Sequence, residues 1–237
     1  TAPTTPNSLT ALSALAGNPI TTNNWYPHTA PSFSWAGSTD SGGSGVSGYY
    51  VYFGTDQDAD ATISGTLQTT LNYTGSGMTS GNTYYLKVKT VDDAGNFSAS
   101  NWAAFTYKYD NVAPENPSTV TADPSGYTAT NSFAFAWSGA TDTSSGVESY
   151  CYKTSLAGSE TCGVTVASIS GVLAGGTGAS TFYVRAQDAA GNKPSTYSSV
   201  SYYYSATAPS APQSLEATPS TNTVNQEIFA SSTQNKC

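Results

Sequence analysis

Residues 78–96 read MTSGNTYYLKVKTVDDAGN, and the spacing of apolar and polar residues in this stretch determines the fold class. Tyr84, Leu86 and Val88 alternate with the lysines at 87 and 89. This period of two places one face of a β-strand inward and the other outward. The acidic, glycine-containing segment that follows has the residue types of a tight turn. The stretch therefore predicts a long, half-buried strand that ends in a fixed turn.

The same pattern occurs a second time in the chain. Val184 precedes DAAGN at residues 188–192, as Val88 precedes DDAGN at residues 92–96. Upstream, Phe33-Ser34-Trp35 is repeated as Phe135-Ala136-Trp137. Each tryptophan lies in an apolar strand pattern, so Trp35 and Trp137 are predicted to be central residues of two separate cores.

A proline motif marks the borders between the repeats. The motif APxxP begins at Ala2, Ala113 and Ala208. Two prolines three residues apart stiffen an extended chain and exclude helix, as suits a linker between domains. These borders predict two complete units and the beginning of a third, at residues 1–111, 112–206 and 207–237.

Together these features resemble the fibronectin type III and bacterial Ig-like superfamily. The resemblance rests on the two core tryptophans, on residues 78–96 and on the strands introduced by Gly45-Val46 and Gly146-Val147. It implies an all-β chain of tandem Ig-like, fibronectin type III-like β-sandwiches joined by proline-containing linkers. It also implies a bacterial surface or secreted protein and hence an extracellular location. The second unit departs from the family at the corner tyrosine, because Gly175–Ser180 replaces the segment that contains Tyr84.

Composition excludes several classes of function. The chain has seven basic and fifteen acidic residues, with a net charge of −8, so no basic surface for nucleic acid is expected. No apolar run is long enough to span a membrane. His28 is the single histidine, which leaves no catalytic triad and no zinc site of the usual composition. We therefore predict a protein that is not an enzyme.

The three cysteines indicate an oxidising compartment. Cys151 and Cys162 are separated by a predicted hairpin, and Cys151 aligns with Tyr50 on the outward face of its strand. We predict a cross-strand disulfide between them. Cys237 has no predicted partner within the chain.

Six aspartates form the candidate metal site. Asp56, Asp58 and Asp60 lie in the sequence GTDQDADA at residues 54–61, and the other three are Asp110, Asp142 and Asp188. In the superfamily topology, the loops that carry these residues meet where the first unit joins the second. Calcium takes six to eight oxygen ligands, so the sequence predicts an inter-domain calcium site. The alternative is a solvated polar hairpin with capping aspartates.

Three functions agree with this architecture. The first is a non-catalytic stalk or spacer of a bacterial surface or secreted repeat protein, with an adhesive role included. The second is a subunit of an extracellular filament, in which residues 207–237 add a strand to a neighbouring copy. The third is a carbohydrate-binding or accessory module of a polysaccharide-acting enzyme, which would use Trp25-Tyr26 and outward tyrosines. The expected partners are neighbouring repeats, copies of the chain itself, glycans or another cell surface.

Overall fold

The structure is a computed structural model that describes residues 1–210. Residues Thr1–Ala206 form one compact unit, which contains four β-sheets in two pairs. The remaining residues, from Thr207, are assigned to a separate unit. Most of the predicted third repeat, together with Cys237, lies outside the described residues. Within the described part, no helix is long and apolar enough to cross a membrane.

The first sandwich contains eight strands and one helical turn. Its elements are β1 (Asn7–Leu12), β2 (Trp25–Tyr26), β3 (Ser32–Ala36), β4 (Val46–Gly54), α1 (Ala61–Ser64), β5 (Thr66–Gln68), β6 (Asn72–Thr74), β7 (Asn82–Asp92) and β8 (Trp102–Tyr109). One sheet has the strand order β1-β3-β6, and the other has the order β2-β8-β7-β4-β5. All pairs are antiparallel except β2 with β8, which is parallel.

The second sandwich repeats this topology strand for strand. Its elements are β9 (Thr119–Asp123), β10 (Tyr127–Thr128), β11 (Phe133–Ser138), β12 (Val147–Lys153), β13 (Thr161–Val164), β14 (Ser168–Val172), β15 (Gly178–Asp188) and β16 (Ser198–Tyr204). The sheet orders are β14-β11-β9 and β10-β16-β15-β12-β13. Again only the second strand, β10, pairs in parallel, here with β16.

Each sandwich has its own hydrophobic core between its two sheets. Trp35 and Trp137 are both buried at the predicted positions, at 5% and 4% exposure. Leu86 and Val88 of β7 are fully buried in the first core as predicted, but Lys87 between them is buried as well, at 8% exposure. Burial of large side chains like these supplies most of the stability of a small sandwich, at about 2 kcal/mol each.

The two sandwiches close the same corner in different ways. The Tyr84 hydroxyl accepts a hydrogen bond from the Thr79 N–H at 2.7 Å, as expected for the family's corner tyrosine. The second sandwich uses the Asn131 side-chain amide instead. Its Nδ2 donates to the Ala174 carbonyl at 3.1 Å, and its Oδ1 accepts from the Ala174 N–H at 2.7 Å. One asparagine thus satisfies both backbone groups of the residue that it faces.

Candidate functional site

The joint between the sandwiches is built from the ends of four strands. Asp110 follows β8 and Ser80 precedes β7, so both lie at the C-terminal pole of the first sandwich. Ser145 precedes β12 and Asn192 follows β15, so both lie at the N-terminal pole of the second. The sheet topology therefore brings four polar residues, distant in sequence, to one place.

Asp110 makes the central contacts of the joint and is fully buried. Its Oδ1 accepts hydrogen bonds from Ser80 Oγ at 2.7 Å and from the Val112 N–H at 3.0 Å. Its Oδ2 accepts from the Ser145 N–H at 3.1 Å. The carboxylate therefore contacts the first sandwich, the linker and the second sandwich at once. Such charge-assisted bonds are about twice as strong as neutral ones.

Asn192 has a structural role in its turn and a second role in the joint. Its backbone N–H and its Nδ2 donate to the two oxygens of Asp188, at 2.7 and 2.8 Å. Its Nδ2 also donates to the Asp110 carbonyl, at 2.9 Å. The DAAGN segment is the predicted turn, with Gly191 at a φ of 89°, and its last residue also binds the preceding sandwich.

Three of the six predicted metal-binding aspartates come together at this joint. One carboxylate oxygen from each of Asp110, Asp142 and Asp188 lies within 4.8 Å of the other two. Asp142 Oδ1 accepts from the backbone N–H groups of Ser144 and Gly146, at 3.0 and 2.8 Å. Three carboxylates at this separation suit a hard divalent cation, and without one they repel each other.

The pKa values of the two buried acids shift in opposite directions. Burial alone would raise the pKa of Asp110, but hydrogen bonds from Ser145, Ser80 and Val112 lower it below the ordinary value. The pKa of Asp188 is raised, first by burial and then by the charges of Asp110 and Asp142. Both a proton and a cation would relieve this repulsion, and the geometry accommodates either.

Asp56, Asp58 and Asp60 do not join this cluster, contrary to the convergence expected from the loop order. Their segment folds back along the outer face of β7, where Asp60 Oδ2 lies 3.6 Å from Lys89 Nζ. Lys89 is seven residues further along β7 than Asn82, which pairs with Tyr109 beside the joint. At the rise of an extended strand, this places the Lys89 backbone about 23 Å from that end, so Asp60 beside its side chain lies well away from the joint.

Contacts from distant residues hold this segment, residues 55–60, which we call the first strap. Lys87 is buried, and its Nζ donates to the carbonyl of Gln57. Asn101 Nδ2 donates to the Ala59 carbonyl at 2.7 Å, and Asn101 Oδ1 accepts from the Ala61 N–H at 3.3 Å. Asp60 caps α1 by accepting from the Thr62 N–H at 2.9 Å. The three aspartates therefore belong to a capped polar connection, which is the alternative stated for them.

The corresponding connection in the second sandwich, residues 154–162, is the second strap. The predicted disulfide joins Cys162 of this strap to Cys151 of β12. Cys151 lies on the outward side of its strand as predicted, yet it is fully buried because the strap covers it. Glu160 binds Arg185 through two contacts of 2.6 and 2.7 Å and accepts from the Tyr197 hydroxyl at 2.9 Å. Disulfide-bonded cysteines are not thiolate ligands, so Cys151, Glu160 and Cys162 are not a metal site.

The aromatic residues considered for glycan binding are engaged within the first sandwich. Trp25 and Tyr26 form the edge strand β2, with Lys108 Nζ 5.9 Å from the Trp25 ring. The Tyr26 hydroxyl accepts from the Thr21 N–H at 2.8 Å. The Tyr52 hydroxyl accepts from the Asp56 N–H at 2.9 Å, and Tyr50 packs edge-on against Phe97.

Sequence reasoning did not identify Ser80, Ser145 and Asn192 as joint residues. The serines carry no distinguishing pattern in a chain rich in serine. The sequence does point to Asn192, because both turn motifs end in asparagine. The positive φ in each turn is supplied by glycine, so the asparagine is not needed for the backbone conformation of the turn. Glu160 was also missed, since its partner Arg185 is 25 residues away in sequence.

Comparison with a protein-family model agrees with the fold of the first sandwich. Residues 18–108 match the family model of the Rha78A-like, N-terminal immunoglobulin domain. The second sandwich has the same strand order as the first. The chain is a tandem of β-sandwiches with an immunoglobulin-like, fibronectin type III-like fold. This confirms the all-β fold class.

Two bacterial relatives and one solved structure are similar to this chain. The chain is 34% identical over 173 residues to chitinase A1 of Niallia circulans, covering 71% of this chain and 23% of that protein. It is 34% identical over 207 residues to exoglucanase B of Cellulomonas fimi, covering 82% and 18%. The fibronectin(III)-like modules of Clostridium thermocellum CbhA align with a TM-score of 0.44 at 16% identity, covering 83% of this chain and 94% of theirs. The chain thus spans about a fifth of the length of these two relatives.

Proposed function

We propose that this chain is a non-catalytic spacer that holds its two modules in a fixed relation within a secreted polysaccharide-acting protein. One observation carries the proposal, namely that a fully buried carboxylate, Asp110, bonds both modules. A flexible linker would leave such a group in water. Truncating one side chain of a hydrogen bond that stays buried in the joint would leave its partner unpaired, which costs about 1–3 kcal/mol for each group.

The linker supports the same proposal, because it is bonded to the second module along its length. The Glu115 N–H donates to the Thr141 carbonyl at 2.8 Å. Asn116 Nδ2 donates to the Thr196 carbonyl at 2.9 Å, and Asn116 Oδ1 accepts from the Ala186 N–H at 3.3 Å. The proline motif stiffens this segment further. Few free torsions remain between the two sandwiches.

The names of the relatives support the proposed setting. One relative is a chitinase and the other is an exoglucanase, and this chain matches a minor part of each. The disulfide favours an oxidising, extracellular location. A stalk on a bacterial surface would use the same fixed joint, so the spacer role is common to both settings.

The joint is tested by residual dipolar couplings measured on the whole chain. We expect the two modules of the wild-type chain to report one common alignment tensor. Asp110→Ser introduces the residue that the second module has at the equivalent position, Ser205. It removes the hydrogen bonds of the carboxylate, so the two modules should then report different alignment tensors. Asn111→Ser, one residue away, is the matched control and should behave as wild type. Independent tensors in the wild-type chain would contradict the spacer proposal.

The calcium prediction is kept as a proposal for Asp110, Asp142 and Asp188 only. Extracellular calcium sites have Kd values of roughly 10⁻⁴ to 10⁻³ M, so 5 mM calcium would stabilise the folded chain by about 1–2 kcal/mol. We expect the Tm to rise in calcium and to return in chelator. Asp142→Asn should abolish the response, whereas Asp56→Asn with Asp58→Asn should leave it unchanged. A wild-type Tm that is insensitive to calcium would rule out the site.

The filament alternative depends on residues 207–237, most of which lie outside the described residues, and it stays a prediction. Glycan binding through Trp25 also stays a prediction. The names of the relatives support it, but the contacts of Trp25, Tyr26 and Tyr52 within the module do not.

A further inference from the structure

The N-terminal pole of the first module has the same polar framework that receives Asp110 on the second module. Gly45 N–H donates to Asp40 at 3.0 Å, as Gly146 N–H donates to Asp142 at 2.8 Å. The Asn96 N–H donates to Asp92 at 2.7 Å, the same distance as in the Asn192–Asp188 pair. The two poles therefore share these turn hydrogen bonds, while the first pole also carries Asp93 at the position of Ala189.

The chain also enters the two poles in the same way. The Thr4 N–H donates to the Thr39 carbonyl at 2.8 Å, and the Glu115 N–H donates to the Thr141 carbonyl at the same distance. The APxxP segment thus lies on its module in the same register in both repeats. Whatever precedes Thr1 would be directed at the first pole as Asp110 is directed at the second.

The two poles differ in what covers them. Ser145 and Asn192, which contact Asp110, are partly buried. Ser44 and Asn96 of the first pole are exposed. Their counterparts on the second module, Ser145 and Asn192, bind the carboxylate and the backbone carbonyl of Asp110.

We propose that this pole, formed by Asp40, Ser44, Asp92 and Asn96, is an acceptor surface for another β-sandwich of the same repeat class. The partner ends its last strand in an aspartate and is joined ahead of Thr1 in one polypeptide. The aspartate side chain accepts from the Ser44 N–H, and its carbonyl accepts from Asn96 Nδ2. This surface follows from the geometry of the joint and does not depend on the spacer role.

The experiment attaches a second copy of residues 1–111 directly ahead of Thr1 of the full chain, so that the added Asp110 lies where a preceding module would place it. Amide hydrogen exchange by NMR then reports on the Ser44 N–H. We expect its exchange to slow by at least tenfold when the added module is present. Asp110→Ser in the added copy alone should restore most of the original rate.

A second added module makes the test independent of whether the first one folds. Residues 112–206 are attached in the same position, once with Ser205→Asp and once unchanged. Ser205 is the counterpart of Asp110, because its N–H donates to the Thr128 carbonyl as that of Asp110 donates to the Tyr26 carbonyl. Only the Ser205→Asp version should slow exchange at Ser44. If neither added module changes the exchange rate at Ser44, the acceptor surface is refuted, and the spacer proposal is unaffected.

Discussion

The two straps occupy the same place in the repeated fold and are held by different chemistry. Both connect the fourth and fifth strands of a module and cover the outer face of its larger sheet. The first strap is held by Lys87, Asn101 and a capped helical turn. The second is held by a disulfide and by the Glu160–Arg185 pair. The comparison shows that one backbone topology can be covered at the same position by two different sets of interactions.

The largest expected effect is the loss of the second strap's covalent link. Cys151→Ala with Cys162→Ser removes a crosslink that closes a loop of eleven residues, worth about 3 kcal/mol in the chain-entropy account. We expect the second module to unfold about 10–20 °C lower in calorimetry. Resonances of the first module should be unchanged, which serves as the internal control. Equal destabilisation of both modules would show that the straps are not independent.

The Glu160–Arg185 pair should give the second module a dependence on pH that the first module shows only weakly. The Arg185 hydrogen bonds lower the pKa of Glu160 to about 2 from an ordinary 4.5. Because the folded pKa is depressed, this stabilisation is fully present above about pH 4.5 and is lost as the pH falls toward 2. About 2 kcal/mol of this stabilisation is lost between pH 6 and pH 3.

Glu160→Gln should remove this dependence. Urea unfolding of the second module at pH 6 and pH 3 would measure it, with Glu148→Gln, an exposed position in the same module, as the control. A wild-type stability that does not change between the two pH values would contradict the assignment.

The sequence alone predicted the strands better than it predicted the straps. The strands of both modules followed from the period of two, because a residue's face is set by its immediate neighbours. The Asp110–Asp142–Asp188 cluster followed from topology, since strand ends meet at a known pole. The disulfide followed from proximity and alternation.

The course of the first strap could not be predicted in this way. Its position depends on Lys87 and Asn101, which are 30 and 42 residues from the groups they bind. No local pattern in GTDQDADA specifies those contacts. Alternating aspartates are compatible both with a metal loop and with a capped turn, and only the distant partners distinguish the two.

The smallest expected effect is that of the first strap's own ion pair. Asp60 and Lys89 are 3.6 Å apart, and the Asp60 side chain is 40% exposed, so solvent screens their attraction. The pKa of Asp60 is lowered chiefly by the Thr62 N–H and hydroxyl and only secondarily by Lys89. Lys89→Met should therefore cost the first module less than about 0.5 kcal/mol in urea unfolding.

Asp60→Ala should cost about 1 kcal/mol because it also removes the cap of α1, and Asp60→Asn, which keeps a capping oxygen, should recover most of that loss. If Lys89→Met were as damaging as Asp60→Ala, the ion pair would hold the first strap, and the two straps would share the same chemistry after all.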